Sequence, residues 1–229
     1  MRALFACLLL TFCAMSQAAI KTQEIPYQSP DGTRLIGYYA YDDALKGPRP
    51  GVVVVHEWWG LNDYAKRRAR DLAALGYSAL SIDMYGDGKH TEHPKDAMAF
   101  MQAASKDSTV ASARFKAGLD LLKKQPQTDP DKLAAIGYCF GGKVVLDAAR
   151  QGLPLLGVVS FHGALVTNTP APPAASRRRF SLNTAPSTAW SPPITSAPSR
   201  QKWTRPAPTT SSSTSKAPST ASATRMPTA

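Results

Sequence analysis

The sequence predicts an α/β domain built on a mostly parallel sheet, and three observations predict it. Gly51-Val52-Val53-Val54-Val55-His56 is a continuous β-branched run, as a strand covered on both faces requires. Stretches of helical spacing alternate with such runs from about residue 50 to 161, which is the order of βα units. A glycine-flanked turn, Gly137-Tyr138-Cys139-Phe140-Gly141-Gly142, separates a strand-like run from a helix-like one. In sheets of this kind, sites form beyond the carboxyl ends of the strands.

Taken in order, residues 34–40 (Arg-Leu-Ile-Gly-Tyr-Tyr-Ala) read as one strand of an early hairpin. After the Val52–Val55 strand, Asn62 to Leu75 has helical spacing, with Leu72 and Leu75 expected on the apolar stripe and Gly76 as the stop signal. Tyr77 to Ile82 reads as a second buried strand. Residues 95–104 and 107–124 read as helices, the latter carrying Val110, Phe115, Leu119 and Leu122 near one face. Leu133 to Ile136 is a third strand, Lys143 to Arg150 a helix, and Leu155 to Phe161 a fourth strand. Three segments therefore fall at strand ends: His56-Glu57-Trp58-Trp59-Gly60, Asp83-Met84-Tyr85-Gly86-Asp87 and the cysteine turn.

The termini read differently. Met1-Arg2 followed by the apolar Ala3–Met15 and by Ser16-Gln17-Ala18 has the pattern of a secretory signal, too short in its apolar part for a comfortable membrane span. Residues 1–18 are expected to be a signal peptide, with export to the periplasm or the medium and no membrane association after cleavage. Cys7 and Cys13 would leave with it, so Cys139 would be the mature chain's only cysteine, with no intramolecular disulfide partner and no cysteine metal cluster. After about Pro170 the apolar pattern disappears. Residues 169–229 are rich in Ser, Thr, Ala and Pro and read as a disordered, low-complexity tail, leaving 19–168 as an α/β domain that lacks its last strands and helices.

The net charge of +11 invites a nucleic-acid reading, and its distribution argues against one. Of 27 basic residues, eight lie in 166–229 and one is Arg2, leaving 18 against 16 acidic residues. The basicity belongs to the tail rather than to a folded face. No Gly-x-Gly-x-x-Gly fingerprint or metal cluster occurs, so neither a cofactor nor a metal is expected. The oligomeric state is not legible.

Strand, Gly-Tyr-Cys-Phe-Gly, then helix is the context of a nucleophile elbow with sulfur in place of oxygen. Gly137 and Gly141 leave room where a side chain would strike backbone. The following helix points its N-terminus at the sulfur, which favours thiolate. Cys139 is the candidate nucleophile, and the amide of Phe140 is a candidate oxyanion donor. A second amide is expected from the loop after the Val52–Val55 strand, at Trp58. The plain alternative for Cys139 is a buried cysteine in an ordinary strand-to-helix turn.

Together, the cysteine turn, His56-Glu57-Trp58-Trp59-Gly60 and Asp83-Met84-Tyr85 resemble the dienelactone hydrolase family over roughly residues 25–165. The resemblance implies an α/β-hydrolase fold and a Cys-His-Asp triad acting on small-molecule esters or lactones. It also implies that Glu57 contacts the resting thiol and takes part in its activation. A carboxylate beside a thiol can accept its proton, yet opposes thiolate formation while ionised; the plain alternative for Glu57 is a structural strand-end carboxylate. His56 is expected to pack or hydrogen-bond locally. One departure concerns substrate. Asp87 stands where the family's dienelactone-cleaving members carry an arginine for the substrate carboxylate, so the resemblance points to a substrate other than dienelactone itself.

An acyl-transfer cysteine needs a base and a residue to orient it. After Cys139 the sequence holds one acid, Asp147, within the next helix, and one histidine, His162, at the end of the next strand. Neither stands where the family places its triad partners. Read two bases later, the codons of Phe180–Ser191 permit a strand followed by a loop acid, and those of Ser212–Thr228 permit a Gly-Ala-Lys-His-Ser-Phe run like the family's catalytic-histidine loop. A one-base insertion or deletion near codons 170–178 is therefore expected, with impaired hydrolysis in this form. The competing expectations are a non-catalytic ligand-binding protein with a basic interaction tail, and a structural protein defined by its Ser/Thr/Pro-rich segment.

Overall fold

The structure is a computed structural model and describes residues 19–166 and 179–183. Within them one seven-stranded sheet has the order β1-β2-β4-β3-β5-β6-β7. The hairpin expected around residues 34–40 is β1 (Ile20–Gln28) and β2 (Arg34–Asp42), antiparallel from Ile20↔Asp42 to Gln28↔Arg34. β2 joins the sheet antiparallel to β4 (Ser78–Ile82). From there inward all pairing is parallel: β4 with β3 (Arg49–Val55), β3 with β5 (Thr128–Tyr138), and β5 with β6 (Gly157–Phe161). Val52 to Val55 are all buried, as expected for a central parallel strand with both faces covered.

Helix α1 (Asp63–Ala74) covers one face and helices α3 (Ser108–Lys123) and α4 (Phe140–Arg150) cover the other, with α2 (Pro94–Ser105) leading into α3. Asn62 caps α1, its side chain accepting from the Ala65 amide at 3.2 Å. Phe115, Leu119 and Leu122 of α3 are buried with Val53, Val55, Leu80, Ile82 and Leu133 in the larger core cluster. Each such side chain contributes about 2 kcal/mol by leaving water.

Under α1 the core is smaller: Ala69 and Ala73 meet Ala40, Val54 and Ala79. Here the expectation from sequence needs correction. The buried stripe of α1 is Ala65, Ala69 and Ala73, while Leu75, expected on it, is 74% exposed. Leu75 is the C-cap, one residue past the last helical position, so it no longer follows the helical phase. Leu72, the other leucine expected on the stripe, is partly buried against this cluster.

Two buried polar devices hold the edge of the sheet away from the strand ends that carry the site. The Tyr39 hydroxyl lies 2.7 Å from Ser78 Oγ, which lies 2.6 Å from Thr128 Oγ1, so β2, β4 and β5 share one hydroxyl chain. Arg49 donates to the carbonyls of Asp42 (2.6 Å) and Leu45 (2.9 Å) and so closes the β2–β3 connection.

The sheet also takes in five residues of the segment that composition reads as tail. β7 (Arg179–Asn183) pairs parallel with β6 from Gly157↔Arg179 to Phe161↔Asn183. Phe180 and Leu182 alternate with polar residues, a short period-two pattern that a compositional reading passes over. The outer backbone groups of β6 would otherwise be an open edge. Residues 1–18, expected to be a signal peptide, and most of residues 169–229 lie outside the described residues.

Candidate active site

The carboxyl ends of β3, β4, β5 and β6 converge on Cys139. The residue adopts φ 52° and ψ −113° as the N-cap of α4. That is a left-handed conformation, uncommon for a residue with a side chain and frequent at functional sites. The turn closes tightly because its flanking residues lack Cβ atoms. A Cβ on Gly137 would lie 2.1 Å from the Gly141 carbonyl oxygen, and one on Gly141 would lie 2.4 Å from that of Val55. The Cys139 amide donates to Phe161 at 2.9 Å, tying the turn to the end of β6.

The electrostatics of the thiol differ from the expectation that the helix N-terminus would favour thiolate. Burial pushes the Cys139 thiol up, the hydrogen bond from the Phe140 amide pulls it down, and the Glu57 carboxylate adds to the rise. The net direction is upward, so the resting form is the thiol. The helix contributes one well-placed amide, which does not offset partial burial beside a carboxylate.

His56 is not a base in this arrangement. It is fully buried. Its Nδ1 lies 2.5 Å from the Glu57 carbonyl, and its Nε2 accepts from the Met84 amide at 3.2 Å. Both ring nitrogens are thus committed to backbone, as a neutral imidazole with the proton on Nδ1. Burial pushes its pKa down. The ring clamps the end of β3 to the end of β4, in line with the local packing expected of it.

Asp83 organises the neighbouring loop. Its carboxylate accepts from the amides of Tyr85 (2.7 Å), Gly86 (2.9 Å) and Gly88 (2.7 Å). This places Tyr85, whose hydroxyl donates to the Trp58 carbonyl at 3.0 Å. Burial raises the Tyr85 phenol, and the charges of Cys139 and Asp83 raise it further. Trp58 is therefore anchored from the β4 side. Arg114 of α3 donates to the Met84 carbonyl at 2.9 Å. The Asp83-Met84-Tyr85 segment was visible as a strand-end motif, but nothing in the sequence signalled Arg114 as its support.

Asp147 and His162 occupy distinct places. Asp147, on α4, is paired with Lys143 at 2.5 Å and Arg150 at 2.9 Å. His162 follows β6 directly, with φ 43°, and its Nε2 lies 3.5 Å from Glu57 Oε1. Asp87 also has positive φ and pairs with Arg34 at 3.3 Å on the exposed surface. A cleft of about 910 Å³ runs between β1 and α3, lined by Tyr27, Ser29, Lys116 and Lys124 among others, and contains none of the residues at the elbow. Among the described residues no three His, Cys, Asp or Glu side chains form a metal-binding group, and no helix is long and apolar enough to cross a membrane.

The dienelactone hydrolase family model matches residues 36–199. The chain belongs to the dienelactone hydrolase family. That match runs beyond the residues whose motifs carry the resemblance and takes in β7. Among curated relatives, "Protein usf" of Aquifex pyrophilus is 33% identical over 138 residues, 58% of each chain. A protein named "Putative carboxymethylenebutenolidase" in Aquifex aeolicus is 31% identical over 125 residues, 53% of this chain and 52% of the relative. The chain thus spans a little over half the length of these relatives. A solved dienelactone hydrolase-like promiscuous phosphotriesterase from metagenomic libraries is 41% identical with a TM-score of 0.64, covering 72% of this chain and 67% of that one. A Klebsiella pneumoniae structure, 24% identical with a TM-score of 0.58 over 66% of this chain and 65% of that one, shares the fold. The α/β-hydrolase fold, and membership of a hydrolase family, follow from these matches together with the sheet.

Proposed function

We propose that this chain hydrolyses small-molecule esters or lactones through Cys139. The observation that carries the reading is the left-handed Cys139 elbow at the head of α4, with Glu57 acting on its thiol. On substrate binding, Glu57 takes the thiol proton. The sulfur attacks the acyl carbon, forming a C–S bond, while the oxyanion is held by the amides of Phe140 and Trp58. The tetrahedral species collapses, the C–O bond breaks and the alcohol leaves with the proton that Glu57 took, which restores the carboxylate. Water then cleaves the thioester to the acid and restores the thiol.

The chain is impaired as it stands. Among the described residues Asp147 is engaged on α4 and His162 on Glu57, so neither completes a triad at Cys139. We propose that the missing partners are encoded in another frame beyond codons 170–178. The family match runs to residue 199 in the frame as given, so resequencing decides: an intact frame across codons 170–178 sinks the proposal. Export of the mature chain, to the periplasm or the medium, belongs to the same reading. N-terminal sequencing of the exported protein should start near Ala19.

The experiment is an assay of the full chain with p-nitrophenyl acetate, a neutral lactone and a phosphate triester, the last because a relative is named for that activity. Slow ester turnover that C139A abolishes supports the reading. Turnover that survives C139A overturns it. A second reading, a ligand-binding protein without catalysis, rests on the same engaged Asp147 and His162; it predicts lactone binding with no Cys139-dependent turnover.

A further inference from the structure

β6 brings its end to the mouth of the elbow. The Phe161 carbonyl receives the Cys139 amide, and His162 comes next in a left-handed conformation. Gly163 then packs on the first turn of α4, where an added Cβ would lie 2.5 Å from the Gly142 carbonyl carbon. The backbone that presents the imidazole is therefore fixed from both sides. It sets Nε2 at 3.5 Å from Glu57 Oε1, with the histidine side chain 49% exposed and the glutamate 25% exposed.

The other charged and titratable groups around this corner have their own partners. After β3, His56 is committed to the backbone at Glu57 and Met84. After β4, Asp83 is surrounded by amides and Tyr85 is bonded to Trp58. Tyr138 at the end of β5 stacks on Phe161 and lies beneath Arg68 of α1, and Lys143 of α4 is paired with Asp147. Among the described residues the ion pair of Glu57 is with His162.

We propose that His162 is a positioning residue that holds the Glu57 carboxylate and partly offsets its charge, and so sets how readily the Cys139 sulfur reacts. The inference rests on reading Glu57 as the partner of the thiol. Glu57 acts against ionisation of Cys139, and an imidazolium beside it opposes that effect. The same contact at 3.5 Å keeps Glu57 turned toward the elbow.

The test is the pH profile of iodoacetamide labelling at Cys139 in the full chain, read by peptide mass spectrometry so that Cys7 and Cys13 do not contribute. H162N tolerates the left-handed backbone but is too short to reach Glu57. It should slow labelling about threefold below about pH 6.5, the ordinary imidazole range, the size a half-exposed pair carries, and have little effect on labelling above about pH 9. H162Q, which retains an N–H donor without a charge, should fall between H162N and wild type; if H162N does not fold, the slowing by H162Q carries the test. In the E57Q background neither substitution should change the profile. An unchanged profile in the Glu57 background, or an equal shift with E57Q present, overturns the proposal. The readout needs no turnover. Ester hydrolysis that survives C139A would therefore remove the catalytic reading while leaving the labelling profiles to decide on His162.

Discussion

At the scale of single residues the site is governed by two titratable groups, half-buried Cys139 and buried His56, displaced in opposite directions. The Cys139 thiol is raised, first by burial. Below the ordinary thiol range, about 8.5, folded and unfolded chains are both protonated there and this contribution to stability is complete. As pH rises through the raised native value, the unfolded chain has already lost the proton and the contribution is lost. Melting temperatures from pH 7 to 10 should therefore fall more steeply for wild type than for C139S. His56 is lowered by burial, so the sign reverses. Its contribution is complete above about 6.5 and is lost as pH falls through the depressed native value. Thermal melts between pH 7.5 and 5 should show that acid loss, and H56Q, less stable at neutral pH, should show less of it. The elbow itself predicts a steric result. Gly141→Ala places a Cβ 2.4 Å from the Val55 carbonyl oxygen, which should cost about 3 kcal/mol in denaturant unfolding and suppress Cys139 labelling selectivity.

At the scale of elements, α1 shows where a periodic pattern misleads. Leucines at 72 and 75 look like its buried stripe; the helix buries Ala65, Ala69 and Ala73 with Leu72 packed beside them, while Leu75 is exposed. Leu75→Gln should change stability by less than about 0.5 kcal/mol. Asn62→Ala, which removes the cap to Ala65, should cost about 1 kcal/mol. On the other face, Phe115, Leu119 and Leu122 are buried as their spacing in α3 implies, and Phe115→Ala should cost about 4 kcal/mol. Urea titrations of the three variants would separate these magnitudes. The β5 strand runs well beyond Leu133–Ile136, to Thr128 at one end and Tyr138 at the other. Its first half carries Asp129, Pro130, Asp131 and Lys132, whose polarity hides a strand that pairs with β3 only around a register shift.

At the scale of the whole molecule, the face of the sheet beside α1 is unevenly covered. Leu72, Ile136, Tyr138, Val159 and Phe161 line a groove of about 310 Å³ there. Parallel sheets are stable with both faces covered. A chain whose frame is restored across codons 170–178 should bury this groove, gain solubility and hydrolyse esters at least about a hundredfold faster, the smallest gain usually supplied by a general base. Equal activity of the two chains would overturn the reading of impairment. His162 and Glu57 would remain paired in either chain, since both are fixed by β3 and β6.

By itself the sequence determined the local chemistry that depends on residue type and spacing. The valine run reads as a covered strand, the glycines around Cys139 leave room for the elbow, and the strand-end motifs put Glu57, Trp58 and Tyr85 at one end of the sheet. Only the tertiary structure decided what these groups do to one another. It committed both nitrogens of His56 to backbone, set His162 against Glu57, brought Arg114 under the Asp83 loop and added β7 from a segment that its composition reads as tail. The direction of the thiol's shift likewise came from burial and a carboxylate, against the helix N-terminus that the sequence made visible. The physical reason is common to all of these. Field strength and desolvation depend on distances between residues far apart in the chain, and those distances are set only when the sheet closes.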